Sequence, residues 1–373
     1  MKICIVTPNV ILNDGQGRVN YEIICEAIRR QHQITIVSKT LATDLLNHPQ
    51  VTWISHKSFK YPSQLLRDLH FAAQSWVWLK KNAHEFDVVQ VDGSVTIYPA
   101  DFNVVHFVHS AWLKSPVHLS KTRKDLYGLY QWIYSSINSR REKDSFAKAK
   151  NIIAVSERVK QELQELGVPE NKITVIHNGV DTDEFQLGES NRKELELPPS
   201  VRLALFIGDL KTNRKNLDTV FKALQHLPNT HLAIVGNFQG SPYPTLAKTL
   251  HLDHQVHFMG RRHDIPKVMQ SCDFFVFPSR YEPFGMVVTE AMASGLPVII
   301  STSTGAAEIS DSSCSVLVDP EDVTALINAM DSLSQNAELC LKMGDCARSI
   351  AEQHTWSSKA IHYINLYEER CVS

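Results

Sequence analysis

The stretch Phe274-Phe-Val-Phe-Pro-Ser-Arg-Tyr-Glu-Pro-Phe-Gly-Met-Val-Val-Thr-Glu-Ala-Met-Ala-Ser-Gly-Leu-Pro297 decides how this chain is read. Its first four residues are an uninterrupted apolar run, which predicts a buried strand. A loop follows, and the residues from Gly285 to Ser294 read as a helix, favoured by Ala, Met and Glu and stopped by Gly295 and Pro297. A helix start beneath a loop offers free N–H groups and the positive end of a dipole, a ready site for phosphate. Two carboxylates, Glu282 and Glu290, frame that start. At a rise of about 1.5 Å per residue they stand on the order of 10 Å apart. Neither suits a diphosphate directly, because like charges repel. Both suit hydroxyl groups, one sugar at each end of a diphosphate, which describes a nucleotide sugar.

Working outward, short apolar strands alternate with longer amphipathic stretches, predicting parallel sheets with helices on both faces. The first half offers strands near Lys2–Thr7, Gln33–Ser38, Val51–Ile54, Val88–Asp92, Val104–Val108, Asn151–Ser156 and Ile173–His177. The second offers Arg202–Gly208, His231–Gly236, Val256–Phe258, Phe274–Phe277, Val298–Ser301 and Ser315–Val318. Between them the polar stretch from Asn178 to Ser200, ending in Pro198-Pro199, reads as a linker. At 373 residues the chain is long enough for two ordinary domains. A hydrophobic content of 43%, 21% charged residues and a net charge of −2 describe a soluble globular protein and argue against a nucleic-acid binder. Seven scattered cysteines with no Cys-x2-Cys pair point to a reducing cytoplasm. No apolar run reaches the length of a membrane span, and the strand at Lys2 leaves no room for a signal peptide.

The run Glu282-Pro-Phe-Gly-Met-Val-Val-Thr-Glu290, followed by Ala-Met-Ala-Ser-Gly-Leu-Pro-Val, resembles the E-x7-E signature of retaining GT-B glycosyltransferases of family 4. The resemblance implies an α/β fold of GT-B architecture, two Rossmann-like doubly wound domains facing each other across a cleft. The boundaries expected are 1–182 for the acceptor side, with the helix 356–373 packing back on it, and 183–355 for the nucleotide-sugar side. It further implies that Glu282 contacts the donor hexose, that Glu290 binds the ribose, and that the turn Phe284, Gly285, Met286 and Val287 holds sugar and phosphate oxygens.

Other stretches take roles from the same resemblance. In Asn13-Asp-Gly-Gln-Gly-Arg-Val-Asn-Tyr-Glu22, Gly15 and Gly17 let backbone approach a ligand, with a helix expected from about Arg18. This is similar to the family's glycine-rich loop near the donor phosphates, and it departs from the G-x-G-x-x-G dinucleotide pattern. Of the two histidines in Val104-Val-His-Phe-Val-His109, His109 falls at a strand end and matches the family's active-site His. His106 reads as a core or supporting residue within the strand. After Gly208 the family carries an Arg and then a Lys aimed at the diphosphate. Lys215 matches the second, Asp209 occupies the place of the first, and Arg214 is the candidate replacement. Arg262, in Phe258-Met-Gly-Arg-Arg-His-Asp264, is placed against the nucleobase through its backbone and stem.

Asp181-Thr-Asp183 imitates a D-x-D metal motif, but its position after a strand fits an Asx turn. No metal and no cofactor is expected beyond the donor substrate. From Lys114 to Lys150, nine Lys or Arg stand against three acidic residues and interleave with Tyr127, Tyr130, Trp132 and Tyr134. The favoured reading is a long helix with its aromatic side buried. The alternative is a peripheral contact with anionic lipid at the inner membrane face. The function implied is retaining transfer of a hexose from a nucleotide sugar to a glycan or lipid-linked acceptor. Two alternatives stand beside it. One is a non-catalytic nucleotide-sugar binder, which Asp209 favours. The other is a nucleotide-sugar epimerase, whose acid/base carboxylates find no place in the first domain.

Overall fold

A computed structural model describes residues 1–12, 14–56 and 61–372, so Asn13 of the glycine-rich stretch lies outside the described residues. The chain divides into two compact units: Met1–Gly179 together with the chain from Trp356 onward, and Val180–Thr355. Each is built on one parallel sheet.

The first unit's sheet contains β1 (Lys2–Val6), β2 (Gln33–Ser38), β3 (Val51–Ser55), β4 (Val88–Asp92), β5 (Phe102–Val105), β6 (Asn151–Ala154) and β7 (Ile173–Val175), in the order β3-β2-β1-β4-β5-β6-β7. The second contains β8 (Arg202–Ile207), β9 (Thr230–Val235), β10 (Val256–Gly260), β11 (Phe274–Phe277), β12 (Val298–Ser301) and β13 (Ser315–Val318), in the order β10-β9-β8-β11-β12-β13. Both repeat the doubly wound pattern, in which strand order reverses beside the first strand and ligands gather at the carboxyl ends. The central strands are largely buried, as sheets covered on both faces require; β11 is apolar throughout and fully buried.

Where the sequence expectation and the fold differ, a side-chain contact explains it. The strand expected at Val104–Val108 ends at Val105, its last pairing being with Ala154. His106 therefore lies beyond the strand rather than within it. The N–H groups of His109 and Ser110 are taken by Glu142 at 2.8 and 2.7 Å, which starts a helix and forbids further ladder. The helix expected from Arg18 begins at Gly15, placing both glycines in its first turn. The stretch read as a linker is packed: Leu195 and Leu197 are buried, and Arg192 reaches Asp273 at 2.8 Å and the Val201 carbonyl at 2.8 Å. Its polar average conceals that anchor.

The basic aromatic stretch does form a long helix, Leu126–Lys148, but its apolar side is not buried. Leu126 is 86% exposed, and Leu129 and Trp132 are about half exposed. The inward face is mostly small and polar instead, Gly128, Ser135, Asn138, Glu142 and Ser145, with Phe146 its one buried aromatic. The C-terminal helix Trp356–Val372 packs on the helix Gly15–Arg29 within the first unit. Glu368 pairs with Arg30 at 2.7 Å, and the buried Tyr367 hydroxyl donates to Gln90 on β4 at 2.5 Å.

Tyr367→Phe leaves that buried amide oxygen without its donor. It is expected to lower unfolding free energy by about 1–2 kcal/mol, read as a shift of the urea midpoint at unchanged slope.

Candidate active site

In the second unit, residues from the loops after β8 and β11 converge. A 3-10 turn at Asn213–Lys215 leads into the helix Leu217–Leu224 through Asn216, whose backbone is left-handed at φ 65°. The Asn216 side-chain amide donates to the carbonyls of Pro278 and Pro320, at 2.8 and 2.5 Å. Arg280 completes the tie. Its guanidinium grips Asp218 at 2.8 and 2.9 Å, bonds the Asn213 carbonyl at 2.9 Å and meets Glu321 at 2.5 Å. Burial works against its charge, and the bonds to Asp218 and Glu321 outweigh it, so the cation is held firmly. Sequence reading passed over Arg280, although it lies inside the deciding stretch.

That tie brings Lys215 and Glu282 together as a direct ion pair, with Arg214 4.0 Å from the same carboxylate oxygen. Both partners of the pair are 12% exposed. Burial, with Arg214 beside it, presses Lys215 well below the usual ammonium range against the opposing charge of Asp209, and Lys215 contacts the Glu282 carboxylate directly. Gly208 makes room: a Cβ there would stand 3.2 Å from Lys215 Cγ. Asp209, in the expected position of a cation, is exposed and turns its carboxylate to its own loop. It accepts from the Lys211 N–H at 3.0 Å and the Thr212 hydroxyl at 2.8 Å.

Glu282 is followed by Phe284, buried, and by Gly285, which caps the helix Met286–Ala293 at φ 96°. A side chain is strained at that φ, and a Cβ would also stand 3.0 Å from Thr304 and 3.1 Å from Glu282. Met286 and Val287 open the helix, and Glu290 is its fifth residue, partly exposed. The Arg262 guanidinium is engaged by Asp264 at 2.6 and 2.7 Å.

In the first unit, a polar cavity of about 340 Å³ is lined by residues that include Asp14, Gln16, Asp92, His106, His109 and Arg141. Gly15 opens the helix above it, and Gly17 is needed for close packing, since a Cβ would meet the Ile11 carbonyl at 2.9 Å. Asp92, buried, accepts from Gln16 at 2.9 Å, Asn20 at 2.6 Å and Gln90 at 3.0 Å. His109 opens the short helix His109–Lys114 and packs edge-on against Phe107 and Tyr134. Burial, reinforced by Arg141 and His118, pulls it down to about 4, so at neutral pH the ring is uncharged. Its Nδ1 has no partner among the described residues, and neither has Nε2 of His106.

Glu142 positions His109 by accepting its backbone N–H, and it too was not foreseen; its signal was an acidic residue in a basic helix. Burial pushes its carboxyl up to about 7, against the bonds from Ser110 and His109, with Glu162 adding to the rise. The D-x-D lookalike is an Asx turn: Asp181 accepts from the N–H of Asp183 and Glu184 at 3.1 and 2.9 Å. Among the described residues no group of three or more His, Cys, Asp or Glu has metal-holding geometry.

Comparison with known proteins adds the following. Residues 188–350 match the family Glycosyl transferases group 1, and residues 13–184 match Glycosyltransferase Family 4. An uncharacterized glycosyltransferase of Methanocaldococcus jannaschii is 24% identical over 99% of this chain and 98% of its own length. Other curated relatives are matched over about half their length. Among solved structures, sucrose-phosphate synthase from Thermosynechococcus elongatus superposes with a TM-score of 0.82, at 19% identity, over 99% of this chain and 98% of that one. Anabaena HepE in complex with UDP-glucose superposes with a TM-score of 0.72, at 20% identity, over 98% and 99%.

A carboxyl raised by folding contributes stability below its unfolded pKa and loses it as pH rises through the folded value. Glu142 is therefore expected to make unfolding free energy fall between about pH 4.5 and pH 7, by up to about 3 kcal/mol. Urea titrations across that range are expected to show this decline in wild type and a flatter profile in Glu142→Gln.

Proposed function

Because the chain belongs to glycosyltransferase family 4 and has the fold of the GT-B enzymes, we propose that it moves a hexose from a nucleotide-diphosphate sugar to a glycan or lipid-linked acceptor, retaining anomeric configuration. The observation that carries this reading is the Lys215–Glu282 pair with Arg214, set at the start of the helix Met286–Ala293.

The second unit holds the donor. When the sugar–phosphate bond breaks, negative charge collects on the diphosphate. Lys215, Arg214 and the N–H groups at Met286 and Val287 supply positive potential already in place. Glu282, oriented by Lys215, accepts bonds from hexose hydroxyls; Glu290 does the same for the ribose. Arg262, its charge engaged by Asp264, offers stem and backbone to the base. The first unit holds the acceptor, and neutral His109 bonds a sugar hydroxyl without adding charge. Retention follows from same-face displacement: the acceptor oxygen bonds the anomeric carbon, the leaving phosphate oxygen departs on the same side, and it takes the acceptor's proton. Protein cations rather than a metal meet the leaving charge in this reading. UDP-glucose, the ligand of the HepE complex, is the first donor to test.

The exposed Leu126, Leu129 and Trp132, beside exposed Lys121, Arg123 and Lys124, support a peripheral contact with anionic lipid at the cytoplasmic face. No helix among the described residues is long and apolar enough to cross a membrane. One observation favours the epimerase alternative: carboxylates do occur in the first unit's cavity, at Asp14 and Asp92. Asp92 already takes three amide donors, which suits a fixed acceptor better than a proton shuttle. Asp209, turned to its own loop, no longer favours a non-catalytic binder.

Nucleotide release from UDP-, GDP- and ADP-sugars is the direct test. Release from one donor is expected to fall on the order of 100-fold in Glu282→Ala, about 2.7 kcal/mol of transition-state stabilisation. EDTA is expected to leave the rate unchanged. Release that survives Glu282→Ala would remove the site from this reading, and an epimerised nucleotide sugar formed without acceptor would replace transfer with isomerisation.

A further inference from the structure

The first unit's cavity carries an unspent charge. Arg141 lies on its wall, fixed by two bonds: to the Asn138 side-chain oxygen at 3.0 Å and to the Ser94 carbonyl at 2.6 Å. Among the described residues it makes no ion pair. The acidic side chain nearest to serving it, Asp68, is already occupied. One of its oxygens takes Lys39 at 3.3 Å and Gln64 at 2.8 Å, and the other takes the Tyr134 hydroxyl at 3.1 Å. Lys39 is thus paired, while Arg141, on the same cavity wall, gives these bonds only two of its five N–H donors. Burial pulls the guanidinium down, and the Asp68 charge, which acts on it without a direct ion pair, does not make up the loss. The other carboxylates of the cavity are committed elsewhere. Asp92 is held by Gln16, Asn20 and Gln90, and Asp14 takes the Asn9 amide at 3.4 Å. The cavity is therefore bipolar, acidic where the hydroxyls of a ligand can donate, and cationic at Arg141.

Resting on the transferase reading above, we propose that Arg141 reads an oxyanion, a phosphate ester or a carboxylate, on the acceptor molecule, so that the acceptor is an anionic polyol rather than a neutral sugar. A guanidinium fits either group through two parallel N–H bonds.

The test uses the full chain and calorimetric titration with inorganic phosphate, glucose 6-phosphate, glucuronate and glucose. Wild type is expected to bind at least one of the anions about tenfold more tightly than glucose. Arg141→Gln removes that preference, and Arg141→Lys, which keeps charge but loses the fork, retains part of it. UDP affinity is unchanged in both variants, which also shows that they are folded. Phosphatidylglycerol vesicles give the second arm: vesicle binding that depends on Arg141 names a lipid headgroup as the source, and binding of soluble ester alone names a free acceptor. The proposal is overturned if no anion binds better than glucose at up to about 100 mM, or if Arg141→Gln binds the anions as wild type does. Failure of wild type to bind any of UDP, GDP and ADP would sink the transferase reading instead, and leaves the anion result to stand or fall separately.

Discussion

The second unit depends on the grip of Arg280 on Asp218. Buried ion pairs stabilise little on balance, because desolvation consumes most of their attraction. Their strength lies in geometry, since a two-pronged guanidinium–carboxylate contact admits a narrow range of positions. Here the contact joins the turn after β8 to the loop after β11, and Glu321 extends the tie to the segment after β13. The backbone of Arg280 repeats the connection, donating to the Arg214 carbonyl at 2.8 Å. Lys215 and Glu282, 67 residues apart, can therefore meet without either loop being free to wander.

The first unit solves a similar problem with a single carboxylate. A six-residue helix would not persist alone, because its few internal bonds do not repay nucleation. Glu142 takes two of its four orphan N–H groups at the positive end of its dipole. Its presence on the polar inner face of the helix Leu126–Lys148 explains why that face is not aromatic. Leu126, Leu129 and Trp132 are displaced outward by the need to present Glu142, Asn138 and Ser135 inward.

The repeating strands and the carboxylates of the deciding stretch were legible because each rests on local pattern: apolar runs, a glycine at a helix start, a charge at fixed spacing. Lys215 and Arg214 were placed by the family resemblance, and the structure brings both to the Glu282 carboxylate. What could not be read were contacts that join distant segments. Nothing local in Arg280 announces Asp218, and nothing in Glu142 announces a helix start 32 residues earlier. The histidines show the cost. His106 and His109 alternate in an apolar run that reads as one strand, yet Glu142 ends that strand early and sends both rings to the same cavity. The exposed Leu126 and Trp132 mislead in the opposite direction, since aromatic periodicity ordinarily marks a core face and here marks a surface.

The two units also treat charge differently, and the difference has a chemical sense. Lys215 is paired in advance with Glu282, so its charge is stabilised while it waits, and a diphosphate can share it without a naked ammonium ever being buried. The same pairing orients Glu282, an acceptor whose direction is fixed before a hexose arrives. Such fixed dipoles and charges do not reorganise as charge moves to the leaving group, which is the source of their leverage. Arg141 has no equivalent partner. Its bonds to a carbonyl and an amide fix its position without a direct ion pair, so an anion that reaches that wall of the bipolar cavity meets a cation already in place. A site that cancels its own cation accepts many ligands; one that leaves it standing has chosen the sign of its ligand in advance.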